Sequence, residues 1–283
     1  MSVRTITLDG QPHVALLMTR ATATAAGRSG ALPDTEVVQR GVRTDLDHLA
    51  RYDRVCGFAV SDVLPATFVH VLTFGLQLTL MAEPDFPLPL PGLVHVANRV
   101  EQVRPVRAEE HLDLSVRSEA LSAHPKGRQV DLVGEARVDG EVVWRGRSTY
   151  LARGSSSGLP AAQDRHVDVA LDRAAPPTSR WRLPADLGRR YARVSGDVNP
   201  IHLTALAAKG FGFPRAIAHG MWTMARCVSA LQPRLPDAYV ADVEFRRPVL
   251  LPSSVELRTR SVDGGYDVVV SSREGEHLRG TIR

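Results

Sequence analysis

DLGRRYARVSG, residues 186–196, is the second appearance of a pattern that the chain uses first as DHLARYDRVCG at 47–57. Asp, Arg, Tyr, Arg, Val and Gly are identical at a constant offset of 139. Two further matches lie downstream. Pro65-x4-His70 returns as Pro214-x4-His219, offset by 149, and VEQVRPV at 100–106 returns as VEFRRPV at 243–249, offset by 143. A longer loop ahead of the second copy's helix and a Pro-rich insertion at 82–92 of the first account for the drift. A repeat of about 140 residues is far too long for a solenoid and means two similar units.

Each unit reads strand, helix, loop, long buried helix, then antiparallel strands. In the first, EVVQRGVR at 36–43 reads as a strand and 45–55 as a helix capped by Thr44 or Asp45, with Gly57 beyond its end. HVLTFGLQLTLM at 70–81 is apolar nearly all round, hence a buried helix. Alternating runs at 93–103, 111–121, 129–138 and 141–152, punctuated by HPKG and DGE, read as antiparallel strands. An Ala-rich stretch at 13–28 reads as a short helix. One helix laid across an antiparallel sheet is a two-layer α+β arrangement. Ser, Gly and Pro crowd 153–178, so the expected organisation is a unit at 1–152, a linker at 153–178 and a second unit at 179–283.

Composition narrows the function classes. The hydrophobic fraction of 43% suits a globular core, and aromatics at 5% leave most packing to aliphatic side chains. Net charge is +4, carried by Arg spread along the chain, with Lys only at 126 and 209. A diffuse basic surface suits an anionic small molecule or acidic carrier protein better than nucleic acid. Cys56 and Cys227 form no metal-binding or disulfide pattern. MSVRTITLDG has no apolar signal core, and no run of about 18 apolar residues predicts a membrane helix. The expectation is a cytoplasmic protein.

The copies differ where chemistry would reside. Phe58-Ala59-Val60 follows Gly57, whereas Asp197-Val198-Asn199-Pro200-Ile201-His202 follows Gly196. One active site per chain is therefore expected, in the second unit. Asn199 is a good N-cap and Pro200 a good first helical residue, so a helix is expected over PIHLTALAAK at 200–209. His202 would sit in its first turn, where the positive helix field disfavours imidazolium and favours a neutral base. Asp197 lies just ahead of the cap, close enough in sequence for both side chains to share a water. Gly220 opens the buried helix 220–231, and its unpaired N–H suits a developing oxyanion. The same Asp-x-Asn-Pro pattern also serves as a plain turn and cap, a reading that the missing polar groups of the first copy disfavour.

YARVSGDVNPIHLTALA resembles the hydratase-2 signature of the MaoC-like dehydratases, a Y…SGDxNPxH…A pattern. The tandem arrangement resembles double hot-dog members of that family, among them actinobacterial (3R)-hydroxyacyl-thioester dehydratases. CGF…LPxTxxHVL…LMxxxDFPxPxxGLVHVxN in the first copy resembles them too. Thr204 departs from the pattern, since many members carry Asp there. The resemblance implies a double hot-dog fold, with a long central helix in each unit wrapped by an antiparallel sheet. It implies reversible hydration of trans-2-enoyl thioesters of CoA or acyl carrier protein in fatty-acid metabolism, with no metal or redox cofactor. Asp197 and His202 would hold the water, Gly220 N–H would bind the thioester oxygen, and Ser195 and Asn199 would shape the turn.

Other residues complete the expectations. Lys209, Arg246 and Arg247 are candidates for the phosphates of the thioester carrier. Phe58 and its neighbours are expected to line the acyl chain's path through a non-catalytic first unit. His70 reads as a structural relic and Cys227 as core. GFGF at 210–213 lacks the third Gly of a dinucleotide loop, and no G-x-S-x-G elbow exists. A thioesterase and a non-catalytic acyl-thioester binder are the alternatives. No membrane or nucleic-acid partner is expected, and a homodimer is compatible with fused units.

Overall fold

The computed structural model describes residues 3–12, 14, 17, 28, 30–90, 92–156, 158–162, 167–169, 171 and 174–283. The helix expected over 13–28 lies almost wholly outside them. In chain order the first half holds β1 (Arg4–Thr7), β2 (Thr35–Val42), α1 (Leu46–Cys56), β3 (Val63–Leu64), α2 (Ala66–Ala82), β4 (Val94–Gln102), β5 (Val106–Arg107), β6 (Leu112–His124), β7 (Gly127–Val138) and β8 (Glu141–Arg153). The second holds β9 (Ser179–Leu183), α3 (Leu187–Ser195), α4 (Pro200–Leu203), α5 (Ala205–Gly210), α6 (Gly220–Leu231), β10 (Tyr239–Phe245), β11 (Ser253–Val262), β12 (Gly265–Ser272) and β13 (Gly275–Ile282).

The repeat becomes a symmetric sheet. Eleven strands run in the order β1-β2-β6-β7-β8-β4-β10-β13-β12-β11-β9. Counted outward from the β4–β10 seam, β8, β7, β6 and β2 on one side hold the places of β13, β12, β11 and β9 on the other, β1 is added in parallel on β2, and β3 and β5 pair apart from this sheet. β4 and β10, which carry the repeated VEQ and VEF segments, pair antiparallel with Val100 opposite Ala241 and Asn98 opposite Val243. Antiparallel pairing of equivalent strands is what an internal two-fold requires. The repeated tyrosines Tyr52 and Tyr191 meet across the same relation, with ring centroids 6.2 Å apart.

Local signals explain the helices. Asp45 accepts from the N–H groups of Asp47 and His48 to start α1. Gly57 at φ 79° and Gly196 at φ 73° end α1 and α3 in the left-handed region, which glycine adopts without a Cβ penalty. α2 begins four residues before the expected His70, at Ala66, because Pro65 supplies the break and the intervening ATFV is as apolar as the rest. Every residue of α2 except Phe74 is buried. It packs on β2, β4, β6, β7 and β8, while α6 packs on β10 and β13. No helix among the described residues is long and apolar enough to cross a membrane.

One expected helix is two. Thr204 is extended at φ −142° and ψ 151°, which ends α4 after four residues. The Thr204 hydroxyl then accepts from Ala207 N–H and caps α5. A side-chain acceptor at this point competes with the continuing backbone ladder. The described part of 153–178 runs against the sheet: Ala123 N–H donates to Pro160 and Thr178 N–H to Leu257.

Candidate active site

α3 ends at Gly196, and the next six residues wind into a turn fixed by its own side chains. Ser195 Oγ accepts from Asp197 N–H at 3.2 Å, and Asp197 Oδ1 accepts from Asn199 N–H at 3.1 Å. Asn199 Oδ1 accepts from Ile201 N–H at 3.4 Å, and Pro200 stands first in α4. Ser195 and Asn199 thus hold the turn, and Asp197 keeps Oδ2 for other work. Gly188 lets the turn pack down on α3, since a Cβ there would lie 2.0 Å from the His202 carbonyl oxygen.

The chain reaches His202 next. Ile217 N–H donates to the Ile201 carbonyl at 3.1 Å, and Ile217 O lies 2.8 Å from His202 Nδ1. A carbonyl can only accept, so Nδ1 carries the proton and Nε2 presents its lone pair. That Nε2 stands 4.0 Å from Asp197 Oδ2. The gap is too wide for a direct hydrogen bond and suits an oxygen held between the two.

His219, at the N-cap of α6, stacks on His202 with ring centroids 3.6 Å apart. Its Nε2 lies 3.0 Å from the Asp197 carbonyl and 3.7 Å from Oδ2. Nδ1 is buried and has no partner among the described residues. Tyr191 also packs against His219, with ring centroids 4.9 Å apart and the planes tilted by 54°. The His219-Gly220 pair marks the start of a helix in the sequence; its contact with His202 emerges only when 202 and 219 come together.

Burial sets the protonation states. It pushes His202 below the usual imidazole range despite the facing carboxylate and Ile217 carbonyl. His219 falls to about 3, through burial and the adjoining His202. The short α4 contributes little helix field, so enclosure, and not the field expected from the sequence, keeps His202 neutral. For Asp197, burial acts upward, but the two imidazoles and the Asn199 N–H outweigh it and leave the carboxyl below its ordinary value. The result is an ionised carboxylate beside a neutral base.

Asp197, His202 and His219 offer ligand atoms within 4.8 Å of one another, so they could meet a metal ion. Such an ion would have to displace His219 Nε2 from the Asp197 carbonyl.

These groups open into a cavity of about 1130 Å³. Gly220 lines it, and its N–H, first in α6, has no acceptor within the helix. A Cβ on Gly220 would come within 3.0 Å of the Phe245 ring. Val71, Phe74, Leu78 and Met81 of α2 form an apolar wall, whereas His70, His95 and Tyr150 of the first half form a polar one. Exposed Arg246 and Arg247 lie on the lining.

Three expectations change. Phe58 is buried in the core, stacked on Tyr52 at 6.2 Å, and does not line the cavity, because its N–H returns to the Asp53 carbonyl of α1 and its ring turns in beside that helix while Ala59 and Val60 stay exposed. Lys209, on the outer side of α5, does not line it either. His70, expected as a relic at the helix start, lies one turn into α2 and faces the cavity.

A model of the MaoC like domain matches residues 163–277. The 3-hydroxyacyl-thioester dehydratase X of Mycobacterium tuberculosis is 35% identical over 260 residues, covering 90% of this chain and 91% of the relative. The crystal structure of HtdX from the same organism superimposes with a TM-score of 0.77 at 34% identity, covering 88% of this chain and 99% of that one. The peroxisomal enoyl-CoA hydratase 2 of Arabidopsis thaliana is 29% identical over 182 residues, 60% of this chain and 58% of the relative. A MaoC-like dehydratase from Phytophthora capsici, 17% identical with a TM-score of 0.73 over 92% of this chain and 96% of that one, shares the fold. The chain belongs to the MaoC-like dehydratases and has their hot-dog fold, twice over.

Proposed function

We propose that this protein is a lyase that reversibly hydrates trans-2-enoyl thioesters, giving (3R)-hydroxyacyl thioesters of CoA or acyl carrier protein. The observation that carries the reading is the 4.0 Å gap between Asp197 Oδ2 and the unprotonated Nε2 of His202. A water held there loses one proton to the pair as its oxygen bonds to C3. The C2–C3 π electrons move toward the thioester carbonyl, and a proton from the same pair reaches C2 on the same face. Atoms and charge balance with water alone. The carbonyl oxygen, enolate-like midway, takes its hydrogen bond from Gly220 N–H. General acid–base groups of this kind contribute about 10²–10⁴-fold, and one oxyanion donor about 3 kcal/mol.

The first unit, taken as residues 1–152, serves as a non-catalytic wall for the acyl chain through Phe74, Leu78 and Met81, with 153–178 joining it to the catalytic unit at 179–283. Arg246 and Arg247 are the candidates for the carrier's phosphates. Fused units already provide the paired arrangement, so the chain works alone or as a homodimer. Its place is fatty-acid metabolism, in a reducing cytoplasm compatible with the free, buried Cys56 and Cys227.

Crotonyl-CoA distinguishes this reading from a hydrolase. Loss of the conjugated enoyl absorbance without free thiol supports hydration. Thiol release at a matching rate would assign a thioesterase instead, and neither change would leave a binder.

A further inference from the structure

Beside the apolar wall of α2, the first half supplies a second wall that is not the hydrocarbon surface an aliphatic chain prefers. His70 from α2, His95 from β4 and Tyr150 from β8 all line the cavity, and the His95 ring contacts each of the other two. His70 and His95 are 6.2 Å apart between centroids, and His95 and Tyr150 stack at 4.6 Å. The Phe245 ring, which covers Gly220, meets His95 edge-on at 5.1 Å, so this wall adjoins the catalytic groups.

The wall is braced from behind. Tyr150 Oη donates to Gln77 Oε1 at 3.1 Å, Gln77 Nε2 to Thr73 Oγ1 at 3.4 Å, and Thr73 Oγ1 to the His70 carbonyl at 2.8 Å. His70, Thr73 and Gln77 fall on one face of α2, as their spacing dictates. Asn98 Nδ2 donates to Ser148 Oγ at 2.9 Å and to His95 Nε2 at 3.4 Å. This leaves one group unspent: the His70 ring, which makes no hydrogen bond among the described residues, whereas the Tyr150 oxygen already has the Ser148 hydroxyl beside it. His70 is 3% exposed, and its Nδ1 is fully enclosed without a partner. Burial holds both imidazoles neutral, with His70 pushed down to about 4 and His95 to about 3. A neutral imidazole offers one donor and one acceptor.

A plain hydrocarbon laid along this wall would leave the His70 ring without a partner, which disfavours binding. An oxygen on the chain would supply that partner. We propose that His70, with Tyr150 beside His95, forms a subsite for a hydroxyl or keto oxygen on the acyl chain beyond C3, so that the preferred substrates are oxygenated enoyl thioesters. This deepens the hydratase reading and rests on it for the reaction, though not for the binding.

The test compares trans-2-enoyl-CoA thioesters of equal length, plain or carrying one hydroxyl or keto group at successive carbons past C3. The full-length protein should favour at least one oxygenated member by about tenfold or more in kcat/KM, since a site built to bond an oxygen rejects the analogue lacking it. His70→Leu should erase that ratio, and Tyr150→Phe, which keeps the ring, provides a second variant if the first folds poorly. A wild-type ratio near one across the series would overturn the subsite. So would a His70→Leu variant that slows plain and oxygenated substrates in equal proportion, because the histidine would then serve the reaction. If no thioester is hydrated at all, the function is at fault, and calorimetric binding of the saturated plain and oxygenated acyl-CoAs decides the subsite by the same ratio.

Discussion

Gly188→Ala tests whether the backbone places His202. The glycine lies in the first turn of α3, far in sequence from the histidine, and carries no chemistry of its own. An added Cβ would stand 2.0 Å from the His202 carbonyl oxygen, 2.9 Å from its carbonyl carbon and 3.4 Å from its Cα. The oxygen is backbone, so no side chain can swing aside. Restoring an ordinary contact requires α3 and α4 to separate by about 1.4 Å, the difference between 2.0 Å and a normal approach of about 3.4 Å. A displacement of about 1 Å at a catalytic group costs on the order of 10²-fold in rate. Overpacking of this kind also costs about 1–3 kcal/mol of stability. The assay is kcat/KM with crotonyl-CoA, well below the melting temperature found in a thermal scan. Gly210→Ala is the control, because a Cβ at that end of α5 meets nothing within 4 Å. If Gly188→Ala keeps wild-type turnover while folded, the position of His202 is not what the contact says it is.

Acid stability follows from the buried imidazoles. His70, His95 and His219 titrate at about 4, 3 and 3 in the fold against 6.5 unfolded, so the unfolded chain binds more protons in that window and stability falls as pH drops below 6.5. Asp53, raised by burial to about 6, opposes this with one proton down to 3.8. A net of about two protons predicts a loss of roughly 3 kcal/mol per pH unit between pH 6 and 4, read by urea unfolding; a flat profile would contradict it. Since His202 is also held below 6.5, the acidic limb of kcat/KM should lie below that pH. Leu78→Trp should cut activity on long acyl chains and spare crotonyl-CoA. Phe58→Ala, at a core position, should cost about 3–5 kcal/mol and leave the chain-length profile unchanged.

Much of this was legible in the sequence. The repeat made the two-fold visible because both copies kept the glycine that ends a helix and the tyrosine that meets its twin. Asp197, Asn199 and His202 could be assigned to one turn because the turn is local. What escaped is what depends on distant segments. Thr204 looks like a helix interior residue until its hydroxyl caps the next turn. His202 is neutral because it is buried between segments far apart in the sequence, Gly188 on one side and Ile217 and His219 on the other, not because of the helix that carries it. Phe58 has the right type and place for a tunnel, but only packing shows it turned toward Tyr52. The polar wall joins residues 70, 95 and 150, and no pattern along the chain links them.

In the proposed reaction Asp197 and His202 act on one water. Turnover of crotonyl-CoA by Asp197→Asn, His202→Ala and the double variant tests it most directly. Each single change should lower kcat by at least about 10², and the double should fall little further than the worse single, as groups that act as a unit do. Losses that multiply, or single variants as fast as the wild type, would contradict it.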